Sequence, residues 1–351
     1  MNHTVFITGA AGYVGAMLVR RFAARSDVGR IIGLDKEACP DLLLGIDKLV
    51  WVHINTSGDW EKQVSSYAPD IVIHAAWQIR EMYGKQDEQW RWNITGSEKV
   101  FDFAFSTSSV KRLIHFSTVA SYGAFPHNTI EHRFTENEPF RKTDYLYAEE
   151  KRIAEERLFT RYTEAQKRGS PVTVSIVRPA AITGPRGRYM RVRFGLQAAL
   201  SGALKETFIH RLISAMVSFV PVTPTWCRQF IHEDDVVSIV ELLAIGEHRG
   251  SPYEAFNICP PGDVVRGEDM ARAVGKRPVR IHPWLIRIVF FIMWHISRGK
   301  VPTSRGGWKS YSYPIAVDGS KLTRMYGFAY TFTSKDAFVK KEGEYMQFVT
   351  R

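Results

Sequence analysis

A doubly wound parallel sheet of α/β class is predicted by three observations. Near-continuous apolar runs recur along the first half of the chain: VFIT ends at Thr8, and RIIGLD, VWVHI, DIVIHAA, RLIHFST and TVSIVRP follow at 30–35, 50–54, 70–76, 112–118 and 173–179. Amphipathic stretches near 86–105 and 144–168 fall between some of them, and apolar strands alternating with helices belong to a sheet covered on both faces. The third observation is glycine at 9, 12 and 15, directly after the first run and ahead of an apolar stripe at Tyr13, Val14, Met17, Leu18 and Phe22. Such a strand–turn–helix opens a Rossmann-type dinucleotide-binding unit.

The first element sets the ligand. Its turn lies at a helix N-terminus, where unpaired N–H groups and the helix dipole favour a pyrophosphate. Gly9 allows the tight turn, Gly12 lets backbone approach phosphate, and Gly15 permits close helix-to-sheet packing. The second strand ends at Asp35, twenty residues after Gly15. That is close to the spacing at which a carboxylate meets an adenosine ribose, so NAD is expected rather than NADP. Lys36 is a neighbouring cation that softens the preference. A strand–turn–helix with chance glycines, ending on a solvated aspartate, is the plainer alternative.

Ligands of doubly wound sheets bind beyond the carboxyl ends of the strands. The later strand ends carry Ala75, Ala76, Ser117 and Thr118. Beyond them, YAEEK holds Tyr147 and Lys151 at a spacing of four, on one face of a helix. A phenol of ordinary pKa about 10 is a poor base at neutral pH, and an adjacent ammonium favours its phenolate. Lys151 is expected to supply that field and to hold a nicotinamide ribose, while the Thr118 hydroxyl orients a substrate hydroxyl or carbonyl. This set describes hydride transfer at a secondary alcohol. A solvated tyrosine–lysine pair and an idle strand threonine are the alternatives.

Composition narrows the partners. The 351 residues are 45% apolar and 24% charged with a formal charge of +11, but Lys and Arg are spread along the chain without a nucleic-acid-binding signature. Nucleic acid is therefore not an expected partner; anionic cofactors, anionic substrates or a membrane surface are. Cys39, Cys227 and Cys259 are too few and too scattered for a disulfide framework or a metal site. The N-terminus lacks a secretory pattern, which gives a cytoplasmic expectation.

In TGAAGYVG at 8–15, Asp35, HAA at 74–76, NITG at 93–96, STVASYG at 117–123, YAEEK at 147–151, RPAAITGPRG at 178–187, RQFIHEDDV at 228–236 and FNI at 256–258, the chain resembles an extended short-chain dehydrogenase/reductase of the NAD-dependent epimerase/dehydratase family. The resemblance implies a Rossmann-type seven-stranded sheet over 1–180, with 229–260 packing back on it, a smaller C-terminal substrate-binding domain mainly over 181–351, and a catalytic Thr118, Tyr147 and Lys151, with Asn93 in support. It implies coenzyme contacts at Gly9, Gly12, Tyr13, Val14, Gly15, Asp35, Ala75, Ala76, Asn93, Tyr147, Lys151 and Pro179. It also implies a homodimer formed by two helices from each subunit. His53 stands where relatives often carry an adenine-binding aspartate. Val119 and Ala120 replace the acidic pair of the sugar-nucleotide 4,6-dehydratases, which removes that dehydration route.

Two substrates stay open. Arg228 matches a family arginine that pairs with a nucleotide-sugar diphosphate, and its guanidinium fork suits the task. Arg186 is placed with it at the substrate, and 187–194 is read as part of a lid or as a plain basic loop. Ala181, in contrast, stands where many nucleotide-sugar enzymes have asparagine. That favours a lipid alcohol such as a 3β-hydroxysteroid, as does the apolar segment PWLIRIVFFIMWHISRGK at 283–300, with 212–226 as a further apolar wall. The segment is too short to span a bilayer. Burial as a cap on the substrate domain is preferred over a helix lying in a membrane interface or lining a greasy pocket. A nucleotide sugar is the favoured substrate, and a non-catalytic NAD sensor is the remaining class, opposed by the intact triad.

Overall fold

The computed structural model describes residues 2–186, 219–273, 277–340 and 342–348. The chain enters through β1 (His3–Thr8), α1 (Tyr13–Ala23), β2 (Val28–Asp35), β3 (Leu49–His53), α2 (Glu61–Ser65) and β4 (Ile71–His74). Helices α3 (Gln86–Trp90) and α4 (Gly96–Ser106) follow, joined by a turn widened to π-helix at Arg91–Thr95. Next come β5 (Arg112–Phe116), α5 (Leu146–Lys167), β6 (Thr173–Pro179) and β7 (Ala181–Thr183). The second half holds β8 (Phe219–Val222), β9 (Cys227–Arg228), β10 (Phe230–His232), α6 (Glu233–Ile245), β11 (Tyr253–Ile258) and β12 (Val265–Arg266). It ends with α7 (Gly267–Ala273), β13 (Arg277–Arg280), α8 (Pro283–Ile296), α9 (Ser320–Tyr326) and α10 (Ser334–Val339).

Seven strands form the central sheet in the order β11-β6-β5-β4-β1-β2-β3, every neighbouring pair parallel. The order reverses direction between β1 and β4, the point at which such sheets leave a crevice for a ligand. Alternation along β1 divides the core: Val5 and Ile7 pack under α1 and α6, while Phe6 packs on the other face with α4 and α5. Residues 253–258 close one edge of this sheet beside β6, register Phe256 against Val177. Short two-stranded pairings, β7 with β10 and β9 with β12, carry the chain towards the C-terminal segments.

Helix α8 departs from the burial expected of it. Ile286 and Trp294 are buried, but Trp284, Leu285, Ile288, Val289, Phe291, Ile292 and Ile296 are exposed. A helix apolar on every side is stable inside a core, and here only one side of it has a core to join. No helix among the described residues is long and apolar enough to cross a membrane.

Candidate active site

The carboxyl ends of β1, β2, β4, β5 and β6 open into one cleft of about 1110 Å³. Its wall runs from Gly9, Gly12 and Asp35 through Thr118, Tyr147 and Lys151 to Ala181 and Arg228. The sequence thus brings both halves of the expected chemistry to a single edge of the sheet.

At the glycine end, the turn is as tight as sterics permit. Gly9 has φ of 72°, and a Cβ there would sit 2.6 Å from the Ala76 Cα. A Cβ on Gly15 would lie 2.0 Å from the Gly9 carbonyl oxygen. Gly12 is the N-cap of α1; that helix has no side-chain cap and no acidic residue in its first turn, which leaves the positive end of the dipole for an anion. Asp35 is held ready by two backbone donors: the Ala11 N–H bonds Oδ2 at 2.9 Å and the Glu37 N–H bonds Oδ1 at 3.0 Å. Lys36 pairs with Glu37 at 3.1 Å and lies over the Trp92 ring, so its charge is partly spent. The His53 ring bonds the Lys36 carbonyl at 2.9 Å and is not part of the cleft wall.

At the reacting end, Thr118 is a buried residue capping the short turn Val119–Tyr122. Its hydroxyl accepts the Ala120 N–H at 3.1 Å and interacts with the Tyr147 phenol. Burial pushes that phenol above its ordinary value, and the Thr118 hydroxyl offsets part of the rise. Lys151, on the same helix face as Tyr147, is engaged by the end of β5 and by Trp77. Its ammonium, 2% exposed, donates to the Phe116 carbonyl at 2.5 Å and lies 3.6 Å from the centre of the Trp77 ring. Burial also drives its pKa well down, against the pull of Glu155 and Glu150. The four-residue spacing puts both side chains on one helix face, but the amine is taken up by the sheet behind it.

Behind Lys151 two buried imidazoles stack at 5.4 Å. His74 bridges the Thr8 hydroxyl at 2.7 Å and the Ser97 hydroxyl at 2.8 Å, whereas neither nitrogen of His115 meets a polar partner among the described residues. Desolvation, with the Lys151 charge, pushes His74 down to about 3 and His115 well below its usual range. Both rings are therefore neutral at physiological pH.

Asn93 sits on the π-helical turn, a distortion common at functional sites. Its amide accepts the Gln78 N–H at 2.7 Å and donates to the Gln78 carbonyl at 3.0 Å and to Glu150 at 2.7 Å. It acts as a clamp that fixes the 76–79 wall. Arg186 is placed away from the substrate end: its guanidinium donates to the Tyr13 carbonyl at 3.2 Å and its backbone N–H to Glu233 at 3.3 Å. The Glu233 carboxylate, which also accepts from the Tyr13 hydroxyl, draws it to the coenzyme side. Residues 187–194, read as a lid, lie outside the described residues, as does 212–218 of the second apolar wall.

Arg228 lines the cleft with its guanidinium 5.4 Å from the Tyr311 ring centre and 5.8 Å from that of Trp226. It has no carboxylate partner among the described residues. Tyr145 connects the two ends, its ring 5.7 Å from Tyr147 and its phenol, pushed up by burial, feeling the Arg228 charge. Thr303, Ser310 and Tyr313 complete this wall, and no residue of 283–300 belongs to it, so the segment does not line the cleft. Trp77, Tyr145 and the 303–313 wall were not read as functional from the sequence. AAWQIR at 75–80 was the available signal, since an aromatic directly after a strand end faces the ligand edge.

The model of the NAD dependent epimerase/dehydratase family matches residues 5–259. Among curated proteins the chain is similar to the sterol demethylase protein B of Methylococcus capsulatus, 26% identical over 70% of this chain and 70% of that one. It is also similar to the N-acetyl-α-D-glucosaminyl-diphospho-ditrans,octacis-undecaprenol 4-epimerase of Escherichia coli O157:H7, 27% identical over 54% of this chain and 51% of that one. Among solved structures, the Bordetella bronchiseptica enzyme WbmG in complex with NAD and UDP superposes with a TM-score of 0.68 at 20% identity, covering 96% of this chain and 93% of that one. That last likeness is one of fold.

Proposed function

The chain belongs to the NAD dependent epimerase/dehydratase family, as an enzyme of the extended short-chain dehydrogenase/reductase type, and from that premise we propose hydride transfer at a secondary alcohol of a nucleotide sugar. One observation carries the reading: a single cleft joins the glycine turn, Thr118 and Tyr147, and the guanidinium of Arg228, which has no carboxylate partner among the described residues. The residues fit the coenzyme, because the turn at 9, 12 and 15 is a cradle that a Cβ would fill and Asp35 is pre-set by two backbone N–H groups. The proposed contacts are Gly9, Gly12, Tyr13, Val14, Gly15 and Asp35 at the adenosine and pyrophosphate, with Ala75, Ala76, Asn93, Lys151 and Pro179 along the remaining wall. When bound, NAD supplies the hydride acceptor for the alcohol and the donor for the return step.

Tyr147 is the proposed proton acceptor for the substrate hydroxyl and the donor on the reverse step. Its raised pKa makes the free protein's phenol a resident acid, which suits proton donation to a carbonyl; Thr118, which interacts with it, holds the reacting oxygen in line. Lys151 fixes the floor of this pocket through the Phe116 carbonyl. Arg228 is proposed to grip the diphosphate, where a guanidinium beside two aromatic rings and free of a carboxylate partner has its charge to give. A structural neighbour solved in complex with UDP and a relative named for a diphospho-linked sugar support this assignment. A homodimer, from the family resemblance, and a cytoplasmic location, from the N-terminal pattern, accompany the proposal.

A lipid-alcohol dehydrogenase is the second reading, favoured by Ala181 in the cleft wall in place of a polar amide and by a relative named for sterol demethylation. A thermal-shift panel with NAD present separates the two. Nucleotide sugars raise the melting temperature on the first reading; stabilisation by sterols alone, with none by nucleotide diphosphates, overturns it.

A further inference from the structure

Helix α8 leaves a broad apolar face uncovered. At 100° per residue, Ile286, Phe290 and Trp294 share the side packed on the protein, where the Phe290 ring lies 5.4 Å from that of Tyr311. The opposite side carries Ile288, Ile292 and Ile296, with Trp284 and Phe291 beside them; Phe291 is 56% and Ile296 76% exposed. Contiguous apolar surface of this kind marks a docking site.

Charge identifies the occupant. From Ala271 to Val317 the sequence holds nine Lys and Arg residues and no Asp or Glu. Arg287, Arg298, Lys300 and Arg305 are exposed, and none has a carboxylate partner among the described residues. A second copy of this face would set cation against cation. An anionic bilayer answers both features, because it takes apolar side chains below its headgroups and cations at its phosphates. The exposed Trp284 near the start of the helix suits the same boundary, and Lys and Arg stems reach along it. The 14 residues of α8 lie in such an interface and do not cross it.

We propose that α8 docks this protein peripherally on anionic phospholipid membranes, its exposed apolar face among the outer acyl segments and Arg287, Arg298, Lys300 and Arg305 on headgroup phosphates. The turn behind α8, Arg305–Tyr311, contributes Ser310 to the cleft wall and sets the Tyr311 ring 5.4 Å from the Arg228 guanidinium. Docking therefore brings the substrate end of the cleft towards the bilayer.

The test is co-sedimentation of the full chain with phosphatidylcholine vesicles, with and without phosphatidylglycerol, at low and high salt. Wild type is expected to partition about tenfold more strongly onto the anionic vesicles. Both Ile288→Asp with Ile292→Asp and Arg298→Glu with Lys300→Glu should abolish that gain. All four positions are exposed, and an unchanged melting temperature with NAD shows that each variant folds. Equal partition of wild type on both vesicle types overturns the proposal. So does loss in the charge variant alone, which would reduce the effect to general surface attraction. If the aspartate variant instead halves the mass measured by light scattering and leaves vesicle binding as it was, the face is an interface between copies and the proposal fails.

Discussion

At the glycine end of the cleft, backbone is the recognition surface; at the Arg228 end, side chains from distant segments do the recognising. The first end is compact in sequence. Residues 9–15 and 35 supply the turn, the helix N-terminus and the carboxylate, and the geometry tolerates no added Cβ at Gly9 or Gly15. The second end is assembled from 145–147, 181, 226–230 and 303–313, and its surroundings carry exposed apolar surface and unpaired cations. A pyrophosphate cradle made of N–H groups restricts which residues are allowed, so it leaves a short pattern. A pocket made of converging side chains restricts where segments meet, and it leaves almost none.

The largest way to break this contrast is at its midpoint. Tyr147→Phe removes the proposed proton carrier but no wall of the coenzyme cradle, so turnover should fall by about 10²–10⁴-fold while the NAD-induced thermal shift persists. Retained product formation would sink the assignment. Gly15→Ala attacks the backbone end. With its Cβ forced against the Gly9 carbonyl, the turn must open, and we expect a loss of about 1–3 kcal/mol in stability together with weakened NAD binding by calorimetry. An alanine variant that binds NAD as wild type does would show the cradle to be looser than described. Arg228→Ala attacks the other end only: affinity for UDP should drop by about 10–100-fold, as for loss of a charged hydrogen bond, with NAD affinity unchanged. Equal UDP binding in variant and parent would move the diphosphate elsewhere.

The smallest effect concerns pH. The folded pKa of His74 is about 3 and that of His115 lies well below the ordinary value, so between those values and about 6.5 the unfolded chain binds more protons than the folded one. Stability is full above about pH 6.5 and falls as pH drops through that window. His115→Leu, which sacrifices no polar contact among the described residues, should flatten part of this acid slope in denaturation curves taken at several pH values. A slope identical to that of wild type would mean that His115 is charged, or solvated, in the folded state.

Much of this molecule is legible before its structure. The alternating strands, the seven-stranded sheet and the tight glycine turn follow from local patterns and from the family resemblance. Other features depend on tertiary geometry that periodicity does not encode. A four-residue spacing places Lys151 beside Tyr147 on the helix, but it cannot say that the Phe116 carbonyl and the Trp77 ring capture the amine. Arg186 sits in a basic stretch that invites a substrate role, yet the Tyr13 carbonyl and Glu233 hold it on the coenzyme side. Helix α8 has the composition of a buried element, and burial depends on whether another element comes to cover it. None does among the described residues.

The central claim is that one cleft oxidises and re-reduces a nucleotide sugar through Tyr147. Its most direct measurement is the absorbance of reduced nicotinamide on rapid mixing of the NAD-loaded protein with individual nucleotide sugars. Wild type should give a transient or lasting signal with at least one of them, and Tyr147→Phe none. A signal given by sterols and by no nucleotide sugar, or one undiminished in Tyr147→Phe, would contradict it.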